Sequence, residues 1–148
     1  ITGGEPLQHN LDKFCKSIKQ MTKGAEQKSM KIHIETSGVN SISGTYDWIT
    51  LSPKRHQPPK SYFLKKFNEI KIIINDKKDI EFAKKIKKEI SKHSQISSLE
   101  KSFNKQNKMY YLQPAWNNAN GISLAVNFVK ENPEWKLSIQ THKYLKIN

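Results

Sequence analysis

The sequence predicts an α/β fold with a mainly parallel sheet, a partial and modified (β/α) barrel. Three observations predict it. Five short apolar or alternating segments have strand character. Amphipathic helical segments lie between several of them, and alternation of strand and helix is the pattern of parallel crossovers. A polar or glycine-rich cluster follows four of these segments and the strand end at Ile1, where open α/β sheets and barrels hold their ligands.

The elements follow in chain order. Ile1-Thr2-Gly3-Gly4-Glu5-Pro6 has a β-branched residue where a strand ends, then two glycines that let the backbone turn sharply. Leu11, Phe14, Cys15, Ile18 and Met21 recur at helical spacing and predict one apolar face. Lys31 to Glu35 and Trp48 to Ser52 read as strands, with no helix between them because Gly38 to Gly44 is short and polar. The crossover after Ser52 reads as irregular. Glu69 to Ile74 contains Ile72-Ile73-Ile74 and predicts a fully buried strand. Asp79 to Ile90 predicts a helix with Asp79 as N-cap and Ile80, Ala83, Ile86 and Ile90 inward. Residues 91–108 read as a lysine-rich surface insertion. Met109 to Leu112 predicts a strand, Asn120 to Glu131 a helix with Ile122, Ala125, Val126 and Val129 inward, and Trp135 to Ile139 the last strand. Asn132-Pro133 ends that helix. The chain begins at the lip of the glycine turn and without Met. The expectation is therefore one domain's C-terminal part, 1–148, with N-terminal strands missing.

Composition narrows the class. The 148 residues carry 26 Lys and Arg against 13 Asp and Glu, a net charge of +13. All but Arg55 of the basic residues are lysine, and they are spread along the chain. A nucleic-acid site draws on arginine for bidentate and stacking contacts, so the surplus reads as a solvated surface. Cys15 is the only cysteine, which excludes an internal disulfide and a cysteine metal cluster. No apolar run approaches the roughly 18 residues of a membrane span.

In a parallel sheet the clusters after the strands share one rim. They are Thr2 to Glu5, Glu35 to Gly38, Ser52 to Lys54, Gln113 to Trp116 and Gln140 to Lys143. Taken singly, each has a plain structural reading. Glu5 can complement a helix dipole, Glu35 to Gly38 can be an ordinary turn, Pro53 can stop a strand and His142 can be a satisfied polar residue. Trp48, Trp116 and Trp135 can all be core.

Thr-Gly-Gly-Glu-Pro at 2–6 resembles the glycine-rich motif of radical S-adenosylmethionine enzymes. With Glu35-Thr36-Ser37-Gly38, Trp48 to Lys54, Tyr111-Leu112-Gln113-Pro114 and Trp135 to Leu145, the chain resembles the 7-carboxy-7-deazaguanine synthase family along nearly its whole length, apart from 91–108. The resemblance implies a lyase that converts 6-carboxy-5,6,7,8-tetrahydropterin to 7-carboxy-7-deazaguanine with loss of ammonia, on the route to queuosine in tRNA. It implies S-adenosylmethionine, a [4Fe-4S] cluster that cleaves it to a 5′-deoxyadenosyl radical, and Mg²⁺ to orient the substrate carboxylate. It further implies a cytoplasmic homodimer served by an electron donor such as flavodoxin or ferredoxin, with no direct contact to nucleic acid or membrane.

Carried over by motif, Gly4 meets the cofactor's amino group. Ser52, Pro53, Lys54, Gln113, Pro114, Ala115 and Trp116 line the S-adenosylmethionine pocket, while Thr2 and Asn148 contact the pterin. Glu5, Glu35, Gln140 and His142 are further candidates for cofactor or substrate. The chain departs from the family in lacking a three-cysteine loop. Cluster and Mg²⁺ ligands are thus expected upstream of Ile1, and the chain alone is expected to be inactive, with no catalytic residue of its own. Lys146-Ile147-Asn148 also departs from a Gly-containing ending. The alternatives are another radical S-adenosylmethionine enzyme, such as a glycyl-radical activase, and a basic RNA-binding module.

Overall fold

The computed structural model describes residues 1–21, 30–96 and 108–147, without the side chains of 94–96. The strands form a sheet in chain order, β1-β2-β3-β4-β5. This is the α/β architecture that the strand and helix alternation predicts. The chain divides into two compact units, Ile1–Glu69 and Ile70–Asn148.

In the first unit the glycine turn leads into a 3-10 turn, Pro6–Gln8, where proline's fixed φ suits the first helical position. Helix α1 (Asp12–Met21) follows. Only Cys15 on it is buried; Leu11 and Ile18 are half-buried, while Phe14 and Met21 are exposed. The five-residue apolar face is therefore corrected to one narrow edge. That edge is set by the close approach of Gly44, where a Cβ would stand 2.7 Å from Cys15 Sγ. Strands β1 (His33–Thr36) and β2 (Trp48–Leu51) pair in parallel, His33 opposite Trp48 and Thr36 opposite Leu51. Ile34, Thr36, Ile49 and Leu51 are buried. The His33 and Trp48 rings stack on the other face, 5.9 Å apart. No helix lies between β1 and β2, as the sequence predicts.

A short helix, α2 (Ser61–Lys65), occupies the crossover after β2 and buries Phe63 and Leu64. Five residues are too few to declare a helical period, so this element is not legible from spacing.

Apart from Glu69, β3 (Glu69–Ile74) lies in the second unit. Ile70, Ile72 and Ile74 are buried and Lys71 and Ile73 half-buried, so the strand is not buried on both faces as predicted. Helix α3 (Lys77–Ile96) begins two residues before the predicted start and runs on into the supposed insertion at 91–108. The rest of that insertion up to residue 107 lies outside the described residues. Asp79 is not the N-cap. Asp76 accepts from the Asp79 N–H at 3.1 Å and Asp79 accepts from the Asp76 N–H at 3.3 Å, a reciprocal capping box. The predicted inward residues Ile80, Ala83, Ile86 and Ile90 are all buried.

Strand β4 (Met109–Pro114) pairs in parallel with β5 (Trp135–Leu137), and α4 (Ala119–Glu131) lies between them in sequence. The buried face of α4 is Gly121, Ala125 and Phe128. Ile122 is exposed and Val126 and Val129 only half-buried, against expectation. The cause is Gly121: a Cβ there would stand 2.3 Å from the Ile74 carbonyl oxygen. The helix must turn this residue toward the end of β3, which rotates Ile122 outward and brings Phe128 edge-on to the buried Trp135. A last short helix, α5 (Thr141–Leu145), has no buried residue.

Candidate functional site

The first unit ties three strand-end clusters together. The Glu35 N–H donates to the Ile1 carbonyl at 3.0 Å and the Ile1 amino group to the His33 carbonyl at 2.6 Å. Ile1 thus sits beside β1 in the hydrogen-bond pattern of a parallel strand. Gly3 and Gly4 then turn the chain with φ of 92° and 55°, a region that glycine enters without strain. Neither would bring a Cβ within 4 Å of anything. Glycine is needed here for the turn alone, and the turn presents bare backbone to open space.

Glu5 folds back from the turn. Its Oε1 accepts from the Thr36 hydroxyl at 2.5 Å and the Leu7 N–H at 3.2 Å. Its Oε2 accepts from the Ser37 N–H at 2.8 Å and from the Ser37 hydroxyl. Partial burial pushes this carboxyl up, but the bonds from Ser37, Thr36 and Leu7 outweigh it and hold the group below its ordinary value. Thr36 Oγ also accepts the Gly38 N–H at 3.1 Å, and the Thr36 carbonyl accepts the Ser52 N–H at 2.7 Å. Ser52 and Pro53 are buried, and Lys54 Nζ reaches Ser52 Oγ at 3.3 Å. Gly38 is pinned at φ 79°, where a Cβ would meet Leu51 at 2.7 Å and Pro59 at 2.9 Å. Thr2 is exposed at the turn and Glu35 half-buried.

The second unit brings the other two clusters together. Gln113 is buried, and the Ser138 hydroxyl lies 3.5 Å from its Oε1. Past Pro114 and Ala115, Trp116 is 41% exposed. The Tyr144 ring meets it edge-on at 4.9 Å, and Lys143 Nζ sits 5.4 Å from its centre. Trp116, His142, Lys143, Lys146 and Ile147 line a cavity of about 460 Å³. Gln140 precedes α5, and its carbonyl accepts the Lys143 N–H at 3.0 Å. Asn148 lies outside the described residues.

Thr36, Ser37 and Tyr144 carry contacts that spacing did not single out. Their signal was present, since the first two follow Glu35 in the same motif and Tyr144 belongs to the distinctive terminal stretch. Of the three tryptophans, Trp135 is core, Trp48 half-buried and Trp116 exposed.

This donor set fits a zwitterionic amino-acid moiety. Exposed turn backbone suits an ammonium, and Lys54 suits a carboxylate. It does not fit an iron–sulfur cluster, which takes several thiolates. Cys15 is 1% exposed on α1, and among the described residues no three His, Cys, Asp or Glu side chains gather as metal ligands.

No family model matches the chain. A 7-carboxy-7-deazaguanine synthase of Prochlorococcus marinus is 44% identical over 99% of this chain, and one of Synechocystis is 33% identical over 99%. The chain spans 66% and 61% of these two relatives. The crystal structure of QueE from Escherichia coli matches with a TM-score of 0.63 at 26% identity, covering 95% of this chain and 55% of that one. The strand-end motifs, the fold and these similarities agree: the chain belongs, over the part of the length it spans, to the 7-carboxy-7-deazaguanine synthase family.

Proposed function

We propose that this chain supplies S-adenosylmethionine- and substrate-binding residues to a radical S-adenosylmethionine lyase. That enzyme converts 6-carboxy-5,6,7,8-tetrahydropterin to 7-carboxy-7-deazaguanine and ammonia. The observation that carries the reading is the Gly3-Gly4 turn, two positive-φ glycines with open space before them, held at the end of β1.

In this reading the Gly4 backbone accepts from the cofactor's ammonium. Lys54, held beside Ser52 and Pro53, pairs with its carboxylate. Gln113, Pro114, Ala115 and Trp116 are assigned to the same cofactor, Trp116 through its exposed ring. Thr2 and Asn148 are assigned to the pterin, and Glu35, Gln140 and His142 to cofactor or substrate. The cofactor, when bound with its cluster, supplies the hydrogen-abstracting radical, while the protein binds and orients. Among the described residues no three His, Cys, Asp or Glu side chains gather as metal ligands, and Cys15 is buried. A homodimer in the cytoplasm, reduced by flavodoxin or ferredoxin, completes the proposal. No helix among the described residues is long and apolar enough to cross a membrane.

The test is anaerobic turnover by the cluster-reconstituted protein that carries this chain, followed by mass spectrometry. Formation of 7-carboxy-7-deazaguanine from the pterin is expected. Deoxyadenosine formed only with a peptide substrate would instead identify a glycyl-radical activase.

A further inference from the structure

Glu5 stands next to the glycines that present bare backbone, yet its own oxygens face inward. A carboxylate has about four lone-pair positions. Here four donors use them: the Leu7 N–H and Thr36 hydroxyl on Oε1, the Ser37 N–H and hydroxyl on Oε2. No acceptor position is left over for a ligand. The same carboxylate caps the Pro6–Gln8 turn, so the chain is fixed immediately after Gly4. Through Thr36 the bonds continue to the Gly38 N–H and the Ser52 N–H. The Glu5 side chain therefore joins the glycine turn to the end of β1, and the backbone of that same strand end carries the bond to Ser52 at the end of β2.

We propose that Glu5 is a positioning residue that holds the Gly3-Gly4 turn in its ligand-receiving shape, with Thr36 and Ser37 as its partners, and does not itself touch the ligand. This rests on the reading that the turn receives the ammonium of S-adenosylmethionine. A carboxylate beside a ligand ammonium would ordinarily be taken as its counter-ion. The hydrogen-bond count assigns that part to turn backbone and leaves Glu5 the task of shaping it.

The experiment compares the wild-type protein with Glu5→Gln, Thr36→Val, Thr36→Ser, Ser37→Ala and the Glu5→Gln/Thr36→Val pair. Amide hydrogen exchange and S-adenosylmethionine affinity by equilibrium dialysis are read on each. Glutamine keeps the shape of the side chain but turns an N–H₂ toward donors, so Glu5→Gln is expected to speed exchange at Ser37 and Leu7 about tenfold. It is expected to weaken the cofactor about tenfold, and Thr36→Val to do the same. Ser37→Ala is expected to show a smaller loss, and Thr36→Ser near wild-type affinity. The double variant is expected to be little worse than either single one, as members of one network are not additive. Loss in Glu5→Gln with wild-type affinity in both Thr36→Val and Ser37→Ala would make Glu5 a ligand contact and overturn the proposal. Unchanged exchange at Ser37 in Glu5→Gln would overturn it as well. If the wild-type protein binds no S-adenosylmethionine, the proposed function fails, while the exchange measurement still decides whether Glu5 holds the turn.

Discussion

The strand ends of the first unit and those of the second are built in opposite ways. In the first, Glu5 is tied to Thr36 and Ser37 through its side chain, and Thr36 to Ser52 through the backbone, with Thr36 and Ser52 at 2% and 5% exposure. In the second, the groups around Trp116 are rings and lysines on α5, which buries no residue at all. A hydrogen-bonded network in a partly dry setting fixes one geometry. Rings and long cationic side chains on an exposed short helix leave geometry to be set by what binds, since helices this short are marginal without packing. The first unit's rim is thus preorganised, and the second's is adaptable. Substitutions that test this contrast should cost much where packing or a fixed backbone is involved and little at Trp116.

The largest effect is expected in the core beneath the adaptable rim. Trp135 is 2% exposed and meets both Tyr110 and Phe128 edge-on. Trp135→Ala should lower stability by about 3–5 kcal/mol, read as a fall in the denaturation midpoint. A loss under 1 kcal/mol would mean that the second unit is soft through its core, and the contrast would then not be confined to its rim.

Gly38→Ala comes next, because it strikes the backbone of the preorganised rim. The substitution forces a side chain to φ 79° and a Cβ to within 2.7 Å of Leu51 and 2.9 Å of Pro59. Left-handed backbone costs roughly 1–2 kcal/mol and overpacking about 1–3 kcal/mol more. The same exchange at Gly3 meets no neighbour, so only the conformational cost applies. Equal losses at the two sites would show that the tight packing around Gly38 is not felt.

The acid side of the stability curve sharpens the contrast further. Glu5 has its carboxyl held below the ordinary 4.5 in the folded chain. A depressed folded value means that the unfolded chain binds the proton first. The contribution is present above about pH 4.5 and lost as pH falls through the lower folded value. Asp47, through Lys19 and the Ile32 N–H, and Glu134, through Lys87, shift in the same direction. The informative quantity is therefore a difference: Glu5→Gln should flatten the fall in thermal midpoint below pH 4.5 relative to wild type. Parallel curves would remove Glu5 from the rim's stability.

Much of this was legible in the chain itself. The helical period of Ile80, Ala83, Ile86 and Ile90 reports burial directly, and β3 spans the predicted Glu69–Ile74, although its burial alternates and α3 runs past both predicted ends. Periodicity failed where a single contact overrode it. Gly121 turns α4 so that Phe128 rather than Ile122 is inside, and Gly44 leaves α1 resting on Cys15 alone. Sequence spacing cannot register a close approach from a distant strand. For the site, the motifs marked the right loops but not the division of labour within them. Glu5 reads as a ligand acceptor until Thr36 and Ser37 are seen filling its oxygens. Two hydroxyl residues at a strand end carry no sign of which carboxylate they will meet.

The smallest effect belongs to the exposed ring pair. Trp116 and Tyr144 lie edge-on at 4.9 Å, with 41% and 60% of their surfaces exposed. Edge-to-face pairs contribute about 0.5–1.5 kcal/mol beyond buried area, and solvent on both rings places this one at the low end. A double-mutant cycle with Trp116→Ala and Tyr144→Ala should give a coupling of roughly 0.5 kcal/mol, and each single variant should shift thermal stability far less than Trp135→Ala. The same Trp116→Ala variant should nonetheless weaken S-adenosylmethionine, because an adaptable rim contributes to the bound state more than to the fold. Coupling above about 2 kcal/mol would show that α5 is already locked onto Trp116, and both rims would then count as preorganised.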